Sequence, residues 1–243
     1  MEVQYYDWYS HRVGMNMGVL RIGSWGPAMI YFPTCGGKHG EIDYYRLQED
    51  AAPWIENGNM QFFAIDSINQ ESWYNRDIHP ADRINWATGY EGYIVHELVP
   101  FVRNMTHNPF VGCMGASFGG YNVTNLFLKH PDCFQLAVSM SGLFDIRQYL
   151  EGYYDTNVYL NNPVDYIPGL ADPWFYHMYN NESLLWMFCG ENDICKGDND
   201  HFHHLLSAKG IRHWYDVWPA PCDHHEYWWK KQLPVVLDKF YNW

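Results

Sequence analysis

Short apolar runs rich in β-branched and aromatic residues alternate along this chain with longer stretches whose apolar positions recur at helical spacing. Six runs read as strands: PAMIYFPTC (27–35), MQFFAID (60–66), FVGCMGAS (110–117), QLAVSMSG (135–142), LLWMFCG (184–190) and HWYDVWP (213–219). Helical patterns cover 90–104, 118–130, 199–209 and a last stretch from 227 to 241. Strands apolar on both faces and separated by helices predict an α/β fold, a mostly parallel central sheet flanked by helices. The stretch 143–183 breaks the rhythm, with clustered Tyr, Trp and Phe, Asn-rich turns and several prolines. It is too long for an ordinary connection and predicts a cap or lid over the strand ends. Its aromatic residues either line a substrate pocket or pack a satellite core.

No internal repeat, low-complexity tract or Pro/Gly/Ser linker divides the 243 residues, so 1–243 is expected to form one domain with a real core. A hydrophobic share of 47% with 19% aromatic residues is incompatible with disorder. The N-terminus, MEVQYYDWYS, has neither a basic nor an apolar leader region. No run approaches the roughly 18 apolar residues of a membrane span. These features predict a soluble, cytoplasmic protein without a membrane partner. A net charge of −13 argues against nucleic acid, whose phosphates need clustered Lys and Arg, and favours a neutral or weakly charged substrate. The six cysteines form no CxxC pair and read as reduced thiols, in keeping with a reducing compartment. Oligomeric state is not legible.

The chemistry centres on GASFGG (115–120), which follows the strand FVGCM and precedes a helix pattern carrying Val123, Leu126 and Phe127 on one face. This is G-x-S-x-G in a strand–turn–helix setting. So tight a turn demands small neighbours, and it lifts Ser117 Oγ above the sheet, near the positive end of the next helix. A serine hydroxyl needs a base and a carboxylate to orient that base, in the chain order Ser, acid, His. LLWMFCG runs into ENDIC, which offers Asp193 as the preferred acid and Glu191 as the reserve. HWYDVWP leads into APCDHH, so His224 or His225 falls on the loop after the last strand. Asp223 and Glu226 are placed to cap the final helix. An oxyanion needs two backbone N–H donors. Phe118 supplies one, and the loop TCGGKHG (34–40) supplies the other, from Gly36 or next from Cys35. HFHH (201–204) has no carboxylate or cysteine at ligand spacing on its face, so it reads as surface rather than as a zinc site. DSINQESWYNRDIHPADR (66–83) is a polar, aromatic loop at the catalytic end of the sheet, with no role assigned from sequence.

The elbow GASFGG, the strand SMSG, the acid loop GENDIC and the terminal HHEYWWKKQLP resemble the esterase family of α/β-hydrolases, with its feruloyl-esterase-like and mycolyltransferase-like members. FPTCGG, DSINQESWYN and GYYDTNVYLNNPVDYIPGLADPWF are similar to a bacterial subgroup of small, signal-less members. The resemblance spans about residues 25 to 240. It implies the α/β-hydrolase fold with a small aromatic-rich cap between strands 6 and 7. It also implies hydrolysis of small-molecule carboxylic esters through an acyl-enzyme, with neither cofactor nor metal. Carried over, the pattern puts the nucleophile on Ser117, the acid on Asp193 and the base on His224. That last choice rests on the aromatic expected five residues on, Trp229, followed by Gln232-Leu233. The chain departs in having Asp223 where glycine is usual and His225 where Asp is common. The alternatives are a non-catalytic binding protein on the same fold, or an acyltransferase or thioesterase using the same three residues.

Overall fold

The computed structural model describes residues 1–241. A single eight-stranded sheet has the order β1-β2-β4-β3-β5-β6-β7-β8. Its strands are β1 (Val3–Ser10), β2 (Met15–Ile22), β3 (Ala28–Phe32), β4 (Gln61–Ile65), β5 (Val111–Ala116), β6 (Leu136–Met140), β7 (Leu184–Gly190) and β8 (His213–Trp218). From β4 through β8 all neighbours are parallel, as expected, and each of β3 to β7 is buried throughout, with Gln61 and Ser139 the polar residues among them. The hairpin β1–β2 adds two antiparallel strands beside β4 that the hydrophobic pattern does not announce. The reason is visible in β1: Tyr5 and Tyr9 face solvent, whereas Tyr6 and Trp8 pack on the core. Aromatics on both faces erase the alternation from which a half-buried strand is recognised.

Helices cover both faces. On one lie three short helices, α1 (Glu41–Tyr44), α2 (Leu47–Asp50) and α3 (Ala52–Glu56). On the other are α4 (Pro80–Tyr93) and α5 (Val99–Thr106), joined by a π-helical turn at Ile94–Leu98, and α6 (Phe118–Lys129). The helix expected at 90–104 thus begins ten residues earlier. Its start is written in His79-Pro80: the His79 side chain accepts the Ala81 N–H, and Pro80 needs no acceptor at the first turn. The π turn falls just before Pro100, whose missing N–H interrupts the ladder there.

The 143–183 segment folds into a 3₁₀ turn (Ile146–Tyr149) and three short helices, α7 (Thr156–Asn161), α8 (Pro163–Gly169) and α9 (Pro173–His177). Asp155 and Asp172 cap α7 and α9, and prolines open α8 and α9. Most of the segment lies on the flank: α7 packs on α4, and α8 packs on α10 (Lys196–Ala208). Tyr121 donates to the Asn161 carbonyl at 2.8 Å. Leu143, Ile146, Leu150 and Val158 form a satellite core with Trp73, Phe118 and Tyr121. The first turn brings Tyr149 against Phe118, the residue after Ser117. The last helix, α11 (Glu226–Tyr241), closes the α1–α3 face, burying Trp229, Leu233, Val236 and Leu237 against β5, β6 and β7.

Candidate active site

The strand order reverses at β3, with β4 on one side and β5 on the other. A crevice opens at such a switch point beyond the strands' C-terminal ends. Two of the sequence-predicted elements issue from this pair, the loop 33–40 after β3 and Ser117 after β5.

Ser117 holds φ 55° and ψ −120°, a conformation that costs a non-glycine residue about 1–3 kcal/mol and survives only where the surroundings enforce it. They do. Its N–H donates to Met140 O at 2.9 Å, and both flanking glycines are obligatory. A β-carbon on Gly119 would sit 2.3 Å from Phe32 O, and one on Gly115 would sit 2.6 Å from the backbone of Gly119. The turn can pass this close to β3 only without side chains.

His224 Nε2 lies 3.0 Å from Ser117 Oγ, and its Nδ1 lies 2.9 Å from Asp193 Oδ1. Beside a carboxylate Nδ1 is the donor, which leaves the Nε2 lone pair to accept the serine hydroxyl. Burial alone would raise the Asp193 pKa. The hydrogen bond from His224, the hydroxyl of Ser141 and the Cys195 N–H outweigh it and hold the carboxyl below its ordinary range. The Cys195 amide donates to Oδ1 at 2.8 Å. Oδ2 is buried and has no partner at hydrogen-bonding geometry among the described residues. Trp229 stands edge-on to the imidazole, with ring centroids 5.3 Å apart and planes at 87°.

The alternatives to these residues lie elsewhere. Glu191 is exposed, its N–H donating to Trp218 O. His225 Nδ1 accepts the Tyr227 N–H at 3.2 Å and is 3.0 Å from Glu226. The capping expected of Asp223 is therefore performed by His225, while Asp223 accepts the Trp228 indole N–H at 2.9 Å.

Phe118 is the first residue of α6, so its N–H has no acceptor within the helix. Across from it, the loop after β3 is closed by Gly37 N–H donating to Thr34 O at 2.8 Å, which leaves the Gly36 N–H outside the loop's own hydrogen bonds. Glu41 accepts from Thr34 N–H, Thr34 Oγ1 and Tyr31 OH at 2.7–2.8 Å. Burial raises its pKa against those donors.

The unassigned DSINQ stretch is the other half of this clamp. Asp66 takes the N–H groups of Gly18 and His39 and pairs with His39 Nδ1 at 2.6 Å. Ser67 Oγ donates to Gly37 O at 2.7 Å, and Asn69 Nδ2 donates to Cys35 O. The Gln70 side chain lies against Gly36, its Nε2 2.0 Å from where a β-carbon would stand. Sequence reasoning had no means to find this, because the partners come from two loops about thirty positions apart, one after β3 and one after β4. Trp73, Tyr74 and Tyr149 gather around Phe118 as an aromatic wall, at centroid distances of 5.3–6.0 Å.

A cation must also be considered. Ligand atoms of Asp193, Cys195 and His224 lie within 4.8 Å of one another. Burial, reinforced by Asp193, Asp198 and Cys35, pushes the Cys195 thiol up to about 12, so the sulfur keeps its proton near neutrality. The facing atoms of the other two are already hydrogen-bonded to each other. This donor set fits a proton relay better than a metal.

The parallel sheet, the crevice at the switch point and a serine on a strained strand–helix turn define the α/β-hydrolase class. Within it, residues 54–240 match the model of the Esterase family, described as "Putative esterase", and the chain belongs to that family of ester-hydrolysing enzymes. Solved structures agree on the fold. A ferulic acid esterase superposes with a TM-score of 0.77 at 16% identity, covering 97% of this chain and 96% of that one. The S-formylglutathione hydrolase FrmB of Staphylococcus aureus gives 0.65 at 15%, covering 98% of both. MPT51 (FbpC1) of Mycobacterium tuberculosis gives 0.68 at 15%, covering 97% and 96%. No curated protein matches the chain.

Proposed function

We propose that this enzyme is a serine carboxylesterase working through Ser117, His224 and Asp193. One observation carries the reading: a single imidazole bridges the elbow serine at 3.0 Å and a buried carboxylate at 2.9 Å. Ser117 Oγ attacks the ester carbonyl carbon as His224 Nε2 takes the hydroxyl proton. The C=O π pair moves onto oxygen, and the oxyanion is received by the N–H groups of Phe118 and Gly36, each worth about 3 kcal/mol of barrier. Collapse expels the alcohol, protonated by His224, and leaves the acyl-enzyme. Water, deprotonated by the same nitrogen, then releases the acid and restores Ser117. Asp193 holds the imidazole in the tautomer this sequence requires and offsets the positive charge it acquires.

No step calls for a cofactor or metal. The aromatic wall of Trp73, Tyr74 and Tyr149 favours a small-molecule ester with an apolar or aryl group. Residues 1–243 act as one domain in this reading. Six free cysteines support work in the cytoplasm. No helix among the described residues is long and apolar enough to cross a membrane.

The test is stoichiometric labelling by a fluorophosphonate, abolished in Ser117→Ala. An unreactive Ser117 in folded protein would instead point to a non-catalytic binding protein. A panel of p-nitrophenyl esters of increasing acyl length, with feruloyl and acetyl-sugar esters beside it, then ranks the acyl and alcohol preferences.

A further inference from the structure

Ser141 follows β6 directly and is one of the few non-glycine residues with positive φ, at 53°. It is 1% exposed, and its N–H donates to Phe188 O at 2.7 Å, tying the end of β6 to the strand that leads into Asp193. Glycine would take this backbone conformation freely, and the next residue, Gly142, shows that glycine is available to this turn. A strained serine in its place implies that the hydroxyl is used.

The hydroxyl has two neighbours that matter. Trp229 Nε1 donates to Ser141 Oγ at 3.1 Å, which fixes the indole whose edge meets His224. With one oxygen lone pair taken by the indole, the Ser141 proton remains to be given. The Asp193 carboxylate beside it gains from that hydroxyl in its charged form. Its Oδ2 is buried and has no partner at hydrogen-bonding geometry among the described residues, so it is open to that proton.

We propose that Ser141 is a positioning residue for ester hydrolysis: its buried hydroxyl ties the Trp229 indole to the Asp193 carboxylate, so that both groups flanking His224 are held by one side chain. This rests on the reading of Ser117, His224 and Asp193 as the catalytic set. The residue touches no substrate. It acts by limiting the rotation of the two surfaces between which the imidazole is clamped.

The variant Ser141→Gly separates a hydroxyl role from a backbone role, because glycine relieves the positive φ while removing the oxygen. The measurements are the fluorophosphonate labelling rate, kcat and KM on p-nitrophenyl acetate, melting temperature, and the downfield proton resonance of the His224 Nδ1–H···Asp193 bond. The expected result is an unchanged or higher melting temperature, labelling and kcat about tenfold slower, KM little altered, and a downfield resonance that shifts or broadens. Trp229→Phe, which keeps an aromatic ring but loses the indole N–H together with the fused second ring, should reproduce part of the loss. The double variant should be less impaired than the product of the two single effects. Wild-type labelling rate with an unmoved resonance in Ser141→Gly overturns this proposal alone. Failure of the wild-type enzyme to label at Ser117 overturns the catalytic set, and this proposal with it. Should Ser141→Gly not fold, Trp229→Phe decides: an unmoved resonance and full rate there are equally fatal.

Discussion

His224 and His225 are adjacent in the chain and do different work. One bridges Ser117 and Asp193, and the other turns outward to receive the Tyr227 N–H at the start of α11. His224→Ala should therefore lower kcat by about a thousandfold or more without unfolding the protein. His225→Ala should keep kcat within a few-fold and lose about 1 kcal/mol of stability with the cap. Steady-state kinetics and thermal melts on both variants check this, and a reversed pattern would overturn the assignment.

The glycines around the serine differ in what surrounds them. A methyl group on Gly119 meets the backbone oxygen of Phe32 at 2.3 Å, whereas one on Gly36 meets the far end of the Gln70 side chain. Backbone cannot step aside and a glutamine can. Gly119→Ala should cost about 3 kcal/mol or more, or fail to fold. Gly36→Ala should melt like the wild type, and activity measured on the two soluble proteins completes the comparison.

Removal of metal should change nothing. Dialysis against EDTA should leave the ester hydrolysis rate unaltered, because the nearest donor set keeps a protonated thiol and a committed Asp–His pair. Loss of rate restored by added zinc would contradict this.

Glu91 on α4 takes both Lys129 and His130 from the end of α6, the latter at 2.7 Å. Burial pushes its pKa up, but the His130 hydrogen bond and the Lys129 charge prevail and leave it lowered. A depressed carboxylate contributes stability that is complete above its unfolded value of about 4.3 and fades as pH falls through the folded value. Glu91→Gln should thus melt lower at pH 7 by the equivalent of about 1–3 kcal/mol. The gap should narrow steadily below pH 4, as urea titrations across pH would show.

The parts of this protein legible in its sequence are those whose signal is local. The elbow Gly115-x-Ser117-x-Gly119, the buried strands and the acid loop each announce themselves within a few residues. Trp229 marks the register of His224 through the family resemblance, and its ring stands against the imidazole. What stayed hidden depends on distant partners. The β1–β2 hairpin masks its alternation with aromatics on both faces, and the loop carrying Gly36 is fixed by Glu41, Asp66, Ser67 and Asn69. The aromatic excess of 143–183 serves a satellite core as much as a pocket edge. Only burial tells those apart.

The strand order has a kinetic consequence. Ser117 and His224 are separated by 107 positions, and they meet only after every strand from β5 to β8 has docked in register. Contacts so distant in sequence close late in folding. During refolding from denaturant, helical signal should return well before hydrolysis does, so catalytic recovery will time the last long-range closure of the chain.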